Sequence, residues 1–409
     1  MKKTLFIKRH LSVGGAETLL LRMSNWFIRN DFRVTILVEK KYPNEVSESL
    51  DLDESINILY LNSPFYNLCK LSYAKKIISD NDLEDVDIVY SFEPRELVAS
   101  IAIARGMVLP RIMTGVYHPM AYQKYSKNIF VKYAANKIMA KFPYNNILFM
   151  NEAVRKSNEK VLNKEFLKCN IWPLPLSIPI YKKHEFKTKK IISVGNLKNF
   201  KTYNLTMLDV VAALIKKGYI ISHHIYGEGS LRKEMEDKIK LMHLEEYVEL
   251  HGQISYSEFQ STVQDGFVFV GVGTAVLEAA SFGIPAICAV AFSDEAIAYG
   301  FVDNLPKNIV GEPIEGYKYY EIINLIEFLL TSSEVEYELV SKAGYSYVEK
   351  NYGCDNLMRK FVDLGYKADY VDRGEYNYFV YVYYYGSLIG SLFSKLRGMV
   401  HILSSRLRI

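Results

Sequence analysis

Short apolar runs alternate with amphipathic stretches along this chain, and the alternation happens twice. TLFIK (4–8) reads as a strand, and Leu19, Leu20, Met23 and Phe27 then fall on one helical face. VTILV (34–38), INILYL (56–61), DIVYSF (87–92), RIMTGVYH (111–118), NILFMN (146–151) and NIWPLP (170–175) continue the series. Residues 179–189 break it: they are polar and basic, without apolar periodicity, and read as a linker. KIISVG (190–195) restarts the pattern, followed by a helix over 203–217, ISHHIYG (221–227), a charged helix, VELHG (248–252), FVFVGVG (267–273) and PAICAV (285–290). Strands alternating with helices imply right-handed crossovers and parallel sheets. The expected class is therefore α/β, with two Rossmann-like lobes whose parallel sheets face a central cleft. The expected lobes are 1–178 and 190–349. A helix over 350–368 returns to the N-terminal lobe, and a Tyr-rich segment with a basic amphipathic tail fills 369–409.

Length agrees with this division, since 409 residues exceed what one hydrophobic core serves. A net charge of +4 is too mild and dispersed for a nucleic-acid binder. Cys69, Cys169, Cys288 and Cys354 lie far apart without a CxxC pair, so neither a disulfide framework nor a zinc site is expected, and the cytoplasm is the expected compartment. The N-terminal MKKTLFIKRH reads as a first strand, not a signal peptide. No run of about 18 apolar residues predicts a transmembrane helix. Two features point to a membrane surface instead. Residues 120–170 hold ten Lys/Arg against three acids. In the tail, Leu388, Ile389, Leu392, Phe393, Leu396 and Leu403 form one stripe, with Lys395, Arg397, Arg406 and Arg408 as its charges. Six tyrosines crowd between Tyr376 and Tyr385 just before it. Such a segment suits the interface of an anionic membrane at the inner face of the cytoplasmic membrane. A helix packed on protein is the alternative.

Several loops have the composition of ligand sites. In LSVGGAETLLLRMS (11–24), Gly14 and Gly15 stand between strand and helix, where backbone can approach a ligand and a helix N-terminus can face an anion; a tight turn is the plainer reading. In VGNLKNFKTYNL (194–205), Gly195 ends a strand, and Lys198 and Lys201 lie on the loop that follows. A lysine there is either part of a solvated basic loop or a counter-charge for a diphosphate. IYGEGSLRKEMEDKI (225–239) repeats the design with Gly227 and Gly229. The segment 270–287 is the most informative. Gly271 and Gly273 end a strand, and the N–H groups around Gly273, Thr274 and Ala275 suit a diphosphate. Glu278, about one turn beyond Thr274, suits ribose hydroxyls. His118 ends a strand before Pro119, at the edge where ligands bind in such sheets. No metal site is expected: Asp85-Val86-Asp87 reads as a solvated turn, and the rings of His223 and His224 point to opposite faces of a strand.

Together these stretches resemble family 4 of the retaining glycosyltransferases, of GT-B fold, over roughly residues 1–365. VGGAE (13–17) resembles the family's N-terminal glycine loop, TGVYH (114–118) its strand ending in a histidine, and VGNLKNFK (194–201) its phosphate-binding loop. GTAVLEAASFGIPAI resembles its donor-binding signature. The resemblance implies diphosphate and ribose contacts at Lys201, Thr274 and Glu278, and a positioning role for His118. Two positions depart from it: Val270 stands where the family has a first glutamate, and Asn196 where it has an arginine. A Gly-x-Gly-Thr subgroup is the better match.

The implied activity is retaining transfer of a sugar from a nucleotide-sugar donor to a saccharide acceptor, lipid-linked, in bacterial surface polysaccharide synthesis. No cofactor and no metal are expected. The alternatives are a UDP-sugar 2-epimerase, which needs cleft acids such as Glu93 and Glu96, and a catalytically silent nucleotide-sugar-binding subunit of a polysaccharide assembly.

Overall fold

Leu5, Phe6 and Ile7 are wholly buried in succession, so this strand is covered on both faces, as in a parallel sheet packed between helices. In the computed structural model it is part of β1 (Lys2–Lys8). The structure describes residues 2–11, 15–41, 52–122, 128–185, 188–306 and 308–406, excepting the side chains of Tyr256 and of 393–406. The chain forms two compact units, Met1–Pro175 with Asp355–Ile409, and Leu176–Cys354.

The first unit continues with α1 (Gly15–Arg29), β2 (Phe32–Val38), β3 (Asn57–Tyr60), α2 (Leu71–Asp80), β4 (Ile88–Ser91), α3 (Pro94–Ala104) and β5 (Arg111–Val116). Then follow α4 (Ile129–Lys141), β6 (Ile147–Phe149), α5 (Glu152–Leu162) and β7 (Asn170–Ile171). Its seven strands lie in the order β3-β2-β1-β4-β5-β6-β7. All pairings are parallel. Chain order reverses between β1 and β4, and loops at the carboxyl ends of such neighbours diverge and leave room for a ligand.

The second unit holds β8 (Lys190–Val194), α6 (Tyr203–Lys216), β9 (Ser222–Tyr226), α7 (Arg232–Leu241), β10 (Val248–His251), α8 (Tyr256–Gln264) and β11 (Val268–Gly271). It is completed by α9 (Thr274–Ser281), β12 (Ala286–Ala289), β13 (Ile297–Phe301), β14 (Tyr320–Glu321), α10 (Ile322–Thr331) and α11 (Glu334–Tyr352). Strand order is β10-β9-β8-β11-β12-β13-β14, with the reversal between β8 and β11. The last two strands depart from the parallel pattern read from sequence: β12 with β13, and β13 with β14, are antiparallel. Residues 290–296 are too few for a crossover helix, so β13 can only turn back beside β12. The linker residues lie along α11: the hydroxyl of Tyr345 donates to the Pro179 carbonyl at 3.0 Å, and Tyr181 meets Ser341 at 3.2 Å.

The chain then returns to the first unit as α12 (Cys354–Lys367) and α13 (Asn377–Arg406). Indole N–H groups latch α12: Trp26 donates to Asp355 and Trp172 to the Leu357 carbonyl, both at 2.8 Å. The Tyr-rich stretch is the start of α13. Tyr376, Phe379, Val380 and Tyr383 are buried in the first unit's core. Gly386 and Gly390 pass so close to Phe130 and Asn128 at the head of α4 that a methyl group on either would collide. The tail read from sequence as a separate interfacial helix thus begins earlier and is docked along its first half.

Candidate functional site

In the second unit, the loops after β8 and β9 lie together. Gly195 N donates to the Tyr226 carbonyl and Leu197 N to that of Glu228, each at 2.9 Å. This contact explains two of the glycines. A methyl group at Gly227 would strike the carbonyl oxygen of Gly195, and one at Gly229 that of Leu197. Loop-on-loop packing thus accounts for their lack of side chains.

Gly195 has a different use. A methyl group there would occupy the place of the Lys201 ammonium. Lys201 precedes α6, and its carbonyl accepts from Asn204 N at 3.2 Å and Asn204 Nδ2 at 3.1 Å, which fixes the turn. Its Nζ lies 5.9 Å from the Phe200 ring centroid. Among the described residues it has no carboxylate partner. Burial, reinforced by the neighbouring Lys198, brings its pKa down to about 8. A desolvated ammonium without a counter-charge is a place for an anion.

Over the neighbouring strand β11, Gly273 adopts φ +78° as the N-cap of α9, and the space where its side chain would stand is open. Its N–H donates to the Val310 carbonyl at 2.6 Å. No side chain caps α9, so its first N–H groups, from Thr274 and Ala275 onward, are left for an acceptor from outside. Glu278, one turn on, is buried. Val270 is fully buried within the apolar core of the unit. A glutamate at that position would be placed in the core, which is why the departure from the family pattern is compatible with this strand.

Sequence reasoning missed the strap beside Lys201. Phe292 N donates to the Phe200 carbonyl at 2.9 Å, and Thr202 Oγ1 to that of Ser293 at 2.6 Å. Phe292 is 68% exposed and has φ +61°, an uncommon conformation for a bulky residue and one that clusters at ligand sites. No sequence pattern marks it, because the strap belongs to the unforeseen β12–β13 connection.

In the first unit, Gly14 lies outside the described residues. Gly15 opens α1, exposed, with open space around it. Beside the β1–β4 reversal, Lys8 Nζ meets Glu17 at 3.0 Å and Glu96 at 3.5 Å. Glu96 also accepts from Arg9 N at 3.1 Å and Phe92 N at 2.9 Å. Burial pushes Glu96 up to about 7, against the pull of Lys8. His118 is exposed after β5, and its Nδ1 accepts the Met120 N–H at 3.0 Å. The neutral ring therefore carries its proton on Nε2. Asn158 holds the His118 carbonyl at 3.1 Å. Asp85 and Asp87 are taken up by Lys3, at its side chain and backbone N–H respectively, as suits a turn at the amino end of β4.

The family model described as "Glycosyl transferases group 1" matches residues 179–336. A curated relative, the poly(ribitol-phosphate) alpha-N-acetylglucosaminyltransferase of Staphylococcus aureus (strain COL), is 29% identical over 252 residues. That alignment covers 60% of this chain, which spans about half (47%) of the relative's length. Among solved structures, an S. aureus TarM variant with fondaparinux, alpha-GlcNAc-glycerol and UDP has TM-score 0.62 at 13% identity, covering 89% of this chain and 100% of that one. HepE of Anabaena, with UDP and glucose, has TM-score 0.63 at 12% identity, covering 89% and 99%. These likenesses establish the GT-B fold. The segment 179–336 is thus similar to the glycosyl transferases group 1, within a chain of GT-B fold.

Proposed function

We propose that this chain transfers a sugar, with retention at the anomeric carbon, from a nucleoside-diphosphate donor to a saccharide acceptor. The observation that carries the reading is Lys201, a half-buried lysine with no carboxylate partner among the described residues, set in the notch left by Gly195. The second element is the uncapped start of α9, which follows β11, the strand paired with β8. When the glycosidic bond breaks, negative charge develops on the departing diphosphate. The ammonium and the α9 amides stabilise that charge most in the transition state, without a metal in the step. Glu278 takes the ribose hydroxyls, and His118 positions sugar or acceptor. The crystal structures of TarM and HepE with UDP make UDP-sugars the first donors to try. The S. aureus relative, a poly(ribitol-phosphate) alpha-N-acetylglucosaminyltransferase, makes a polyol-phosphate polymer the first acceptor class to try. Glu96 is fully buried, which argues against its use as an epimerase acid.

The test is a nucleotide-sugar panel, with and without polyol-phosphate and lipid-linked saccharide acceptors, read by product analysis. Acceptor-dependent transfer from one donor with an unchanged anomeric configuration is expected. A donor altered without acceptor, or bound without transfer to any acceptor, overturns the reading.

We also propose peripheral membrane contact, now assigned to the exposed row of α13 instead of its tail. Tyr378, Tyr381, Tyr385 and Ile389 form one exposed stripe. Ile129 and Phe130 of α4, also exposed, belong to the same unit. No helix among the described residues is long and apolar enough to cross a membrane. Flotation on vesicles containing anionic lipid is expected to fall severalfold in the triple variant Tyr381→Ser, Tyr385→Ser, Ile389→Ser. An unchanged floating fraction rejects the contact.

A further inference from the structure

His223 and His224 do point to opposite faces of β9, as their adjacency requires. His223 faces inward and meets Ser193 at 3.0 Å. His224 lies on the other face, and there the β9–β10 register brings it together with two residues distant in sequence. Glu249 pairs with His224, and His251 with Tyr226. His224 Nδ1 is 3.0 Å from His251 Nε2. The nearest carboxylate oxygen of Glu249 lies 3.6 Å from the first nitrogen and 3.3 Å from the second.

We propose that His224, Glu249 and His251 bind a divalent transition-metal ion of the zinc type. The three donor atoms form a triangle with edges of 3.0, 3.3 and 3.6 Å. Tetrahedral zinc, with bonds of about 2.0–2.2 Å to nitrogen and oxygen, requires edges of about 3.3 Å. Two imidazoles and one carboxylate are a donor set that this ion takes, leaving a fourth position for water.

The surroundings hold the ligands in place. The other nitrogen of His224, Nε2, sits 3.1 Å from Ser222 Oγ. Donation of its N–H to that oxygen leaves Nδ1 as the lone-pair side, facing the triangle. The Tyr226 ring stacks on His251, with centroids 4.3 Å apart and planes 8° from parallel. Arg232 donates to the carbonyls of Leu250 and His251, each at 3.1 Å, and so pins the end of β10. The nearby cation, Lys190, is paired with Asp265. In the empty triangle, His251 Nε2–H donates to His224 Nδ1. A tautomer shift that moves the His251 proton to its own Nδ1 frees both nitrogens, with no net proton released.

β10 is the edge of the sheet. A metal across β9 and β10 fastens that edge, on the face opposite the Ile225–Leu250 packing. It acts on the second unit's stability and takes no part in the transfer step.

The test uses the full chain, stripped with chelator and titrated with Zn2+ by calorimetry, with Co2+ as a spectroscopic probe. One equivalent is expected to bind, with a tetrahedral Co2+ absorption and a raised unfolding temperature. Glu249→Gln and His251→Gln alter exposed or half-exposed side chains and leave the fold intact. The first is expected to weaken binding at least tenfold and the second to abolish the cobalt signature. Substoichiometric binding by the wild type, or binding unchanged in His251→Gln, overturns the proposal and leaves a hydrogen-bonded histidine pair.

Discussion

Replacing Lys201 with alanine is expected to lower kcat/KM for the true donor by about 10²–10³-fold, the range found when one preorganised donor to a developing anion is removed. Lys201 is held against Gly195 and has no protein carboxylate to share its charge with, so the diphosphate is its counter-ion. The loss should fall on kcat at least as much as on KM, because the charge on the diphosphate grows as the bond breaks. The pH profile gives a second signature. With the pKa down at about 8, the free enzyme loses this ammonium as pH rises through 8, and kcat/KM falls along that limb. The alanine variant should lack the limb. Stability moves the other way. A lysine whose folded pKa is depressed destabilises the fold while it is charged, so Lys201→Met is expected to unfold at a higher temperature than the wild type at pH 7. Full turnover by Lys201→Ala would remove this residue from the mechanism.

Replacing Lys8 with alanine is expected to cost the first unit about 3–5 kcal/mol, the usual result of removing one partner from a buried ion pair. Lys8 is 2% exposed and stands between Glu17 and Glu96. Without it, two buried carboxylates face each other. Trp26 and Trp172, the chain's two tryptophans, both lie in the first unit, so tryptophan fluorescence during urea unfolding reads that unit alone. The pH dependence has a definite sign. Glu96 is raised from the ordinary 4.5 to about 7, so the folded state holds its proton more tightly. This group therefore favours folding below pH 4.5 and loses that contribution as pH rises to about 7. In Lys8→Ala the acids gain most from protonation, and the deficit should be smaller at pH 5 than at pH 8. A deficit under 1 kcal/mol at pH 8 would show that the trio is hydrated and not buried.

Much of the architecture was legible because buried parallel strands read as unbroken apolar runs. Ile191, Ile192, Val268, Phe269 and Val270 carry that signal, and all are buried. Lys201, Gly273 and Glu278 stood out as candidates in the sequence because switch-point loops follow strands at short, fixed distances. What escaped depends on pairing between distant residues. Nothing in HH at 223–224 or VELH at 248–251 states which residues will lie opposite, and the β9–β10 register decides it. Gly227 and Gly229 also meet the neighbouring loop's carbonyls, a packing reason for glycine that the sequence could not state. The antiparallel β13 and β14 were invisible because the parallel pattern gives no reason to stop.

The second unit interrupts the first, and this sets an order of assembly at the ribosome. The bond between Trp172 and Leu357 spans 185 residues. All of Leu176–Cys354 must be synthesised before Asp355 and the helices that complete the first core emerge. At ordinary elongation rates that interval is roughly 10–35 s, ample for the inserted unit to fold. During that time the nascent sheet around Phe27 and Trp172 lacks its cover. Those rings stay uncovered until Phe361 arrives to pack against them.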